Sequence, residues 1–363
     1  MRQIIKALYM VIISLLNLLY SKNKLNDNHI VVMMTFAEDV LPIIEALNRK
    51  LYKITVIGKE ENRKYILQYE NVTFIPTGNK QVFQHIKALS TAKVIVIDTY
   101  YLMFGGFKKK QKQTVIQTWH ASGALKNFGL KDHQVDLTNK RMVNQYKNVY
   151  CATDKYLVGG DPMITCFKEA FEASDEQFLK IGLPRLVPYT ILDVKKRQSE
   201  LKKQYGIEDK VAVYVPTYRE HKQSNYKIDK TYFESELPDY TLLSKLHPSI
   251  ASSDQTTTNL QSLMIMADVI ISDYSSLAIE ASLLNKPTLF YVYDESQYEK
   301  ERGLNSFYYD IPAQYKAYSI DELMYKLQDS NIEWSPLFES WHVYNAKDSL
   351  TQIIQYIEKM VKL

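Results

Sequence analysis

Cysteine is nearly absent: two occur in 363 residues, Cys151 and Cys166, and they do not form a Cys-x-x-Cys pair. The seven histidines are scattered without metal-ligand spacing. This argues against a disulfide framework or a structural zinc and fits a reducing compartment. No metal or other cofactor is expected. Glycine and proline are sparse as well, at 11 each, which separates the chain from fibrous and low-complexity proteins. Charge of one sign does not dominate: the net charge is +4, and no nucleic-acid partner is expected. No apolar run reaches the ~20 residues that span a bilayer. Also missing are the Gly-x-x-x-x-Gly-Lys-Ser/Thr phosphate loop, the Gly-x-Gly-x-x-Gly dinucleotide fingerprint, the Gly-x-Ser-x-Gly elbow and the kinase motif set. Those absences argue against an NTPase, a dehydrogenase, an esterase and a protein kinase.

What is present is an ordinary folded composition, 46% hydrophobic, long enough for two domains of roughly 150–200 residues. Basic residues cluster at Lys108, Lys109, Lys110 and Lys112, and at Lys195, Lys196, Arg197, Lys202 and Lys203. Such runs are either solvated faces or surfaces for anionic lipid or nucleotide. Tyrosine is abundant at 28, and nothing in the sequence accounts for it.

The first twenty residues read as an amphipathic helix. Gln3, Lys6, Ser14, Asn17 and Ser21 form a polar seam, and Ile5, Leu8, Ile12, Leu15, Leu16 and Leu19 fill the other side. The segment lacks the small-residue cleavage site of a signal peptide. A helix lying in the membrane interface is one reading, and a helix packed on the protein's own core is the other.

Beyond it, near-continuous apolar runs at 29–35, 54–57, 72–75, 94–98 and 115–119 predict strands, with helices at 39–49 and 82–92. A second series predicts strands at 211–216, 241–246, 269–272 and 288–293, with helices at 196–205, 277–284, 321–327 and 346–359. Buried strands alternating with helices indicate doubly wound parallel sheets. The expected architecture is α/β, two Rossmann-like domains facing each other across a cleft. The divisions fall at 1–22 for the amphipathic helix, 23–182 and 183–345 for the two domains, and 346–363 for a C-terminal helix packing back on the first. Gly182-Leu183-Pro184-Arg185 marks the linker.

The candidate chemistry sits after predicted strands. At 268–281 a strand runs into Asp273-Tyr274-Ser275-Ser276 and then a helix, whose first-turn amides and the Ser275 and Ser276 hydroxyls suit a phosphate. Equally, either serine can simply cap the helix. Glu280, one turn on, suits ribose hydroxyls. His120 follows the strand at 115–119 and leads a small-residue loop, a position for a general base, although a single histidine is more often structural. His247 and Pro248 follow the strand at 241–246, Arg219 follows the one at 211–216, and Arg302 lies in a loop where it can clamp phosphate.

Together Trp119-His120-Ala121, Gly182-Leu183-Pro184-Arg185, Pro216-Thr217-Tyr218-Arg219, Leu246-His247-Pro248, Asp273-Tyr274-Ser275-Ser276 and Arg302-Gly303-Leu304-Asn305 resemble, in that order, the CDP-glycerol glycerophosphotransferase family of teichoic acid synthesis. The short chain, and Ala121-Ser122 where the family's polymerases read Gly-Thr-Pro, resemble its glycerol phosphate primase branch. The resemblance implies a GT-B-like fold and no obligatory cofactor. It implies CDP-glycerol as donor, an undecaprenyl-diphosphate-linked disaccharide as acceptor, and peripheral attachment to the anionic cytoplasmic face of the cell membrane, with other teichoic acid enzymes as partners. It places Ser275, Ser276 and His247 around the diphosphate and Arg302 on the transferred or leaving phosphate. Arg219 and Pro248 would border the cytosine, and His120 would deprotonate the acceptor. Glu280 is less firmly tied, because the family varies there. A later-acting glycerol or ribitol phosphate transferase, and a nucleotide-sugar glycosyltransferase of the same fold, remain as alternatives.

Overall fold

The computed structural model describes residues 2–217, 219, 227–246, 256–329, 331–334 and 337–363. The apolar runs of the first half form a parallel sheet of β1 (Asn26–Met34), β2 (Lys53–Gly58), β3 (Val72–Pro76), β4 (Ala92–Ile97), β5 (Thr114–Gln117), β6 (Lys155–Leu157) and β7 (Phe178–Leu179). Their spatial order is β3-β2-β1-β4-β5-β6-β7. The second half forms β8 (Lys210–Tyr214), β9 (Tyr240–Ser244), β10 (Val269–Ser272), β11 (Thr288–Tyr291) and β12 (Lys316–Ala317), in the order β12-β11-β10-β8-β9. Every pairing in both sheets is parallel.

Each order reverses direction once, between β1 and β4 in the first sheet and between β8 and β10 in the second. Open α/β sheets bind ligands at such switch points, beyond the strands' carboxyl ends. The same device holds both. After β4, Asp98 accepts hydrogen bonds from the Thr35 and Phe36 amides at 2.6 and 2.7 Å. After β10, Asp273 accepts from the Thr217 amide at 2.9 Å and the Thr217 hydroxyl at 2.7 Å. A carboxylate taking two donors pins the loop that follows the neighbouring strand.

Strands β6, β7 and β12 were not expected; at two or three residues each they carry too little alternation to register. The expected strand at 115–119 ends at Gln117, because Trp119 takes a left-handed φ of 62°. The C-terminal helix, Ser349–Lys362, packs Ile353, Ile354 and Ile357 into the core shared with β1 and the helix Ala37–Arg49. Lys50 and Glu358 pair there at 2.8 Å. That core continues through Leu183, Leu186 and Tyr189 into the second sheet, so the linker is itself an apolar seam.

The N-terminal helix, Arg2–Leu19, leaves the expected apolar side uncovered except at one leucine. Ile13 and Leu16 are buried in the core against Val31, Ile95 and Phe104, while Ile4, Ile5, Leu8, Val11, Ile12, Leu15, Leu18 and Leu19 are exposed. Leu16, expected on the membrane side, is only 8% exposed and belongs to the protein's interior. The polar seam leans toward the protein: Asn17 donates to the Lys108 carbonyl at 3.1 Å. Among the described residues no helix is long and apolar enough to cross a membrane. The neighbouring basic run is divided. Lys109 pairs with Asp154 and Lys110 bonds the carbonyls of Tyr20, Asn23 and Ser90, while Lys108 and Lys112 are exposed or nearly so.

Candidate active site

His120 stands just past β5. Its ring stacks on Phe36, centroids 4.5 Å apart, with Trp119 at 4.3 Å on another side. Nδ1 lies 3.1 Å from the Asp98 carbonyl oxygen. A carbonyl only accepts, so in the neutral ring Nδ1 carries the proton and Nε2 keeps its lone pair. Among the described residues Nε2 has no hydrogen-bond partner. Burial pushes the imidazole down to about 4, and the charges of Arg185 and Lys126 push the same way against the Asp98 hydrogen bond. The ring is therefore neutral at pH 7, in the state a general base needs. An anionic donor beside it would raise its basicity.

The loop after His120 packs on the second domain as closely as backbone permits. A Cβ at Gly123 would sit 2.5 Å from Ile279 and from Trp341. Lys126 and Leu304 form an antiparallel bridge, the Asn127 amide donates to the Gly303 carbonyl at 2.9 Å, and Asn305 Nδ2 donates to the Ala124 carbonyl at 2.7 Å. These bonds bring the His120 loop and Arg302 to one face of the cleft.

Arg302 is paired with Asp132 of the first domain at 2.7 Å, and its buried Nε has no partner among the described residues. Ser275 Oγ accepts weakly from the Leu277 amide at 3.3 Å, whereas Ser276 makes no side-chain cap. The helix that follows, Leu277–Ser282, is only six residues long. His247 and Pro248 lie outside the described residues.

Two expected donor contacts are otherwise engaged. Arg219 is nearly buried, bonded to Asp273 at 2.9 Å and Asp294 at 2.7 Å, with the Tyr274 and Tyr298 rings 5.2 and 4.6 Å away. It ties β8, β10 and the loop after β11 together, with its guanidinium already satisfied. Glu280 is also buried. One oxygen meets Arg185 at 2.9 Å and the Ser122 hydroxyl at 3.2 Å, and the other accepts from Tyr189 at 3.2 Å. Both oxygens are committed to the domain junction, so in this arrangement none is free for a ribose.

Three contributors were not singled out from sequence. Arg185 was read as linker, yet it reaches Glu280, the His120 carbonyl at 3.2 Å, and Asp39 at 3.5 Å. Asp98 orients His120 through its carbonyl. Lys126 lies six residues beyond His120 in the same loop. A cation in the base's own loop was the available signal for Lys126; nothing local distinguishes Asp98 or Arg185.

A profile of the CDP-glycerol:poly(glycerophosphate) glycerophosphotransferases matches residues 17–347. The chain belongs to that family. It is therefore a glycerophosphotransferase by descent. It is 49% identical to the teichoic acid glycerol-phosphate primase of Staphylococcus aureus (strain NCTC 8325 / PS 47), covering 99% of this chain and 100% of that one. The Bacillus subtilis (strain 168) primase is 29% identical, covering 92% and 93%. Among solved structures, the wall teichoic acid polymerase TagF superposes with a TM-score of 0.75 at 20% identity, covering 99% of this chain and 98% of that one. The S. aureus MnaA–UDP co-structure gives 0.59 at 14%, covering 92% and 97%. Both likenesses concern the fold, a GT-B-like pair of facing α/β domains.

Proposed function

We propose that this glycerophosphotransferase moves one glycerol phosphate from CDP-glycerol to the N-acetylmannosamine hydroxyl of N-acetylmannosaminyl-N-acetylglucosaminyl-diphospho-undecaprenol. CMP leaves, and the product is a wall teichoic acid linkage unit. The observation that carries the chemistry is His120, neutral, with its proton held on Nδ1 by Asp98 and Nε2 unengaged at the domain junction. The acceptor oxygen attacks the β-phosphorus and gives its proton to Nε2. The bond from that phosphorus to the bridging oxygen of CMP breaks, and the electron pair departs with CMP. Such transfers need mainly positioning and charge stabilisation from the protein. Arg302, Ser275 and Ser276 serve the phosphates in this reading, together with His247, and Pro248 borders the cytosine. Arg219 acts from behind, holding Asp273 and the turn that carries the serines.

The choice of the first-acting transferase over a later one is supported by full-length similarity to the staphylococcal primase. The exposed apolar side of the N-terminal helix supports work at the cytoplasmic membrane surface, where a lipid-linked acceptor is tethered. Mass analysis of the product from CDP-glycerol and the lipid-linked disaccharide tests the reading. Addition of a single glycerol phosphate with stoichiometric CMP is expected. Inertness toward the disaccharide, with activity on an already primed acceptor, would assign the enzyme to a later step.

A further inference from the structure

We propose that Lys126 is a further substrate-contacting residue, which completes with Arg302 a two-domain clamp on the phosphoryl group being transferred. The inference rests on the reading of CDP-glycerol as donor. Its ground is a cation without a counter-ion among the described residues. Among the described residues the Lys126 ammonium makes no hydrogen bond and no ion pair, although the side chain is partly buried between the domains. The carboxylates whose charge reaches it are Asp273 and Asp132, and both are occupied elsewhere. Asp273 takes Thr217 and Arg219. Asp132 takes Arg302 and the Gln134 amide. A partly buried ammonium with no partner among the described residues costs stability, so a fold that keeps one beside a second cation with an unpartnered donor, Arg302 Nε, holds a place for an anion.

The location specifies which anion. Lys126 and His120 lie close enough for the charge of one to depress the basicity of the other. The charges of Asp273, Arg302, Arg219 and Asp132 also reach Lys126. Its loop carries the proton acceptor of the first domain, and its backbone bridges Leu304, two residues past Arg302 of the second, the junction where the phosphorus under attack would lie in this reading. Gly303 makes this meeting possible. Its φ is +81°, and a Cβ there would lie 2.6 Å from Asn127 Nδ2 and 2.7 Å from His133 Nε2. The helix that ends at Arg302, and the turn after it, can therefore press against the loop carrying Lys126. Burial, the two arginines and the two carboxylates together leave the ammonium pushed down to about 8. It is charged at neutral pH and gains most from a phosphate.

The test compares Lys126→Met and Lys126→Arg with the wild-type full chain, using CDP-glycerol and the lipid-linked disaccharide. Lys126→Met is expected to lower kcat/KM about 10–150-fold, as loss of one charged hydrogen bond implies. Its thermal midpoint should stay equal or rise, because an unpaired, partly buried charge is gone. Lys126→Arg should recover part of the rate and displace the alkaline limb of the kcat/KM profile, near pH 8 in wild type, to higher pH. Activity of Lys126→Met within twofold of an active wild type overturns the clamp and leaves the donor reading standing. A fall in midpoint that parallels the loss of activity would make Lys126 structural and also overturn it. A wild type that does not turn over CDP-glycerol removes both readings together.

Discussion

At the scale of single residues, the proposed reaction separates groups that would meet substrate from groups that hold the frame. His120→Ala should lose roughly 10²–10⁴-fold in turnover, the usual contribution of a general base, while CDP-glycerol affinity measured by calorimetry changes little. An equal loss of donor affinity would put the histidine on the wrong side of the cleft. Glu280 offers the opposite test. Its carboxylate is buried against Arg185, whose other carboxylate neighbour, Asp39, is 3.5 Å away. Removing one member of a buried pair costs about 3–5 kcal/mol, so Glu280→Ala should lower the urea midpoint strongly. A variant with unchanged stability and a raised KM for CDP-glycerol would return Glu280 to the ribose.

At the scale of elements, the N-terminal helix carries two apolar faces, one buried in the core and one exposed. Ile12 and Leu15 are 44% and 62% exposed, while Leu16 is 8% exposed and packed in the core. Replacing Ile12 and Leu15 together by Asp should shift the protein from anionic vesicles to the supernatant with the thermal midpoint unchanged. Leu16→Ala should do the reverse, costing about 2–5 kcal/mol of stability while vesicle binding persists. High salt should weaken vesicle binding only in part, since Lys108 and Lys112 supply the screened portion and the apolar face the rest. Vesicle binding by the double Asp variant equal to wild type would exclude this face as the membrane contact.

For the whole molecule, buried neutral histidines set the acid limit of stability. His29 is buried between β1, β2 and the end of β4's preceding helix, with its ring nitrogens 3.0 Å from the Thr91 hydroxyl and 2.9 Å from that of Thr55. Burial, then Lys53, pushes it down to about 4, and His120 behaves alike. A histidine that ionises at about 4 when folded and about 6.5 when unfolded binds fewer protons in the native state between those values. Stability should therefore be complete above pH 6.5 and fall as pH drops toward 4, by roughly 2–4 kcal/mol for His29 alone. Chemical denaturation across that range should show a shallower decline for His29→Gln. A pH-independent difference between the two proteins would refute the assignment.

The sequence by itself determined both sheets' central strands, since β1, β2, β4, β8, β10 and β11 are long or continuous apolar runs whose burial on both faces needs no knowledge of partners. It also placed His120, Ser275 and Ser276 just past strand ends, where a parallel sheet exposes its loops; Arg302, expected in a loop, instead closes the helix Glu295–Arg302. What the chain could not disclose is which charges find each other. Arg219 and Asp294 are 75 residues apart, and Arg185 and Glu280 are 95 apart; only the packed domains make them ion pairs. The same holds for the outward face of the N-terminal helix. Periodicity reports that one side is apolar, but which of its leucines the protein covers depends on how the helix is rotated against β1 and β4. Folding decided that Leu16 goes in and Leu15 stays out, because the docked helix sets Leu16 against the core of the first sheet and leaves Leu15 at the surface.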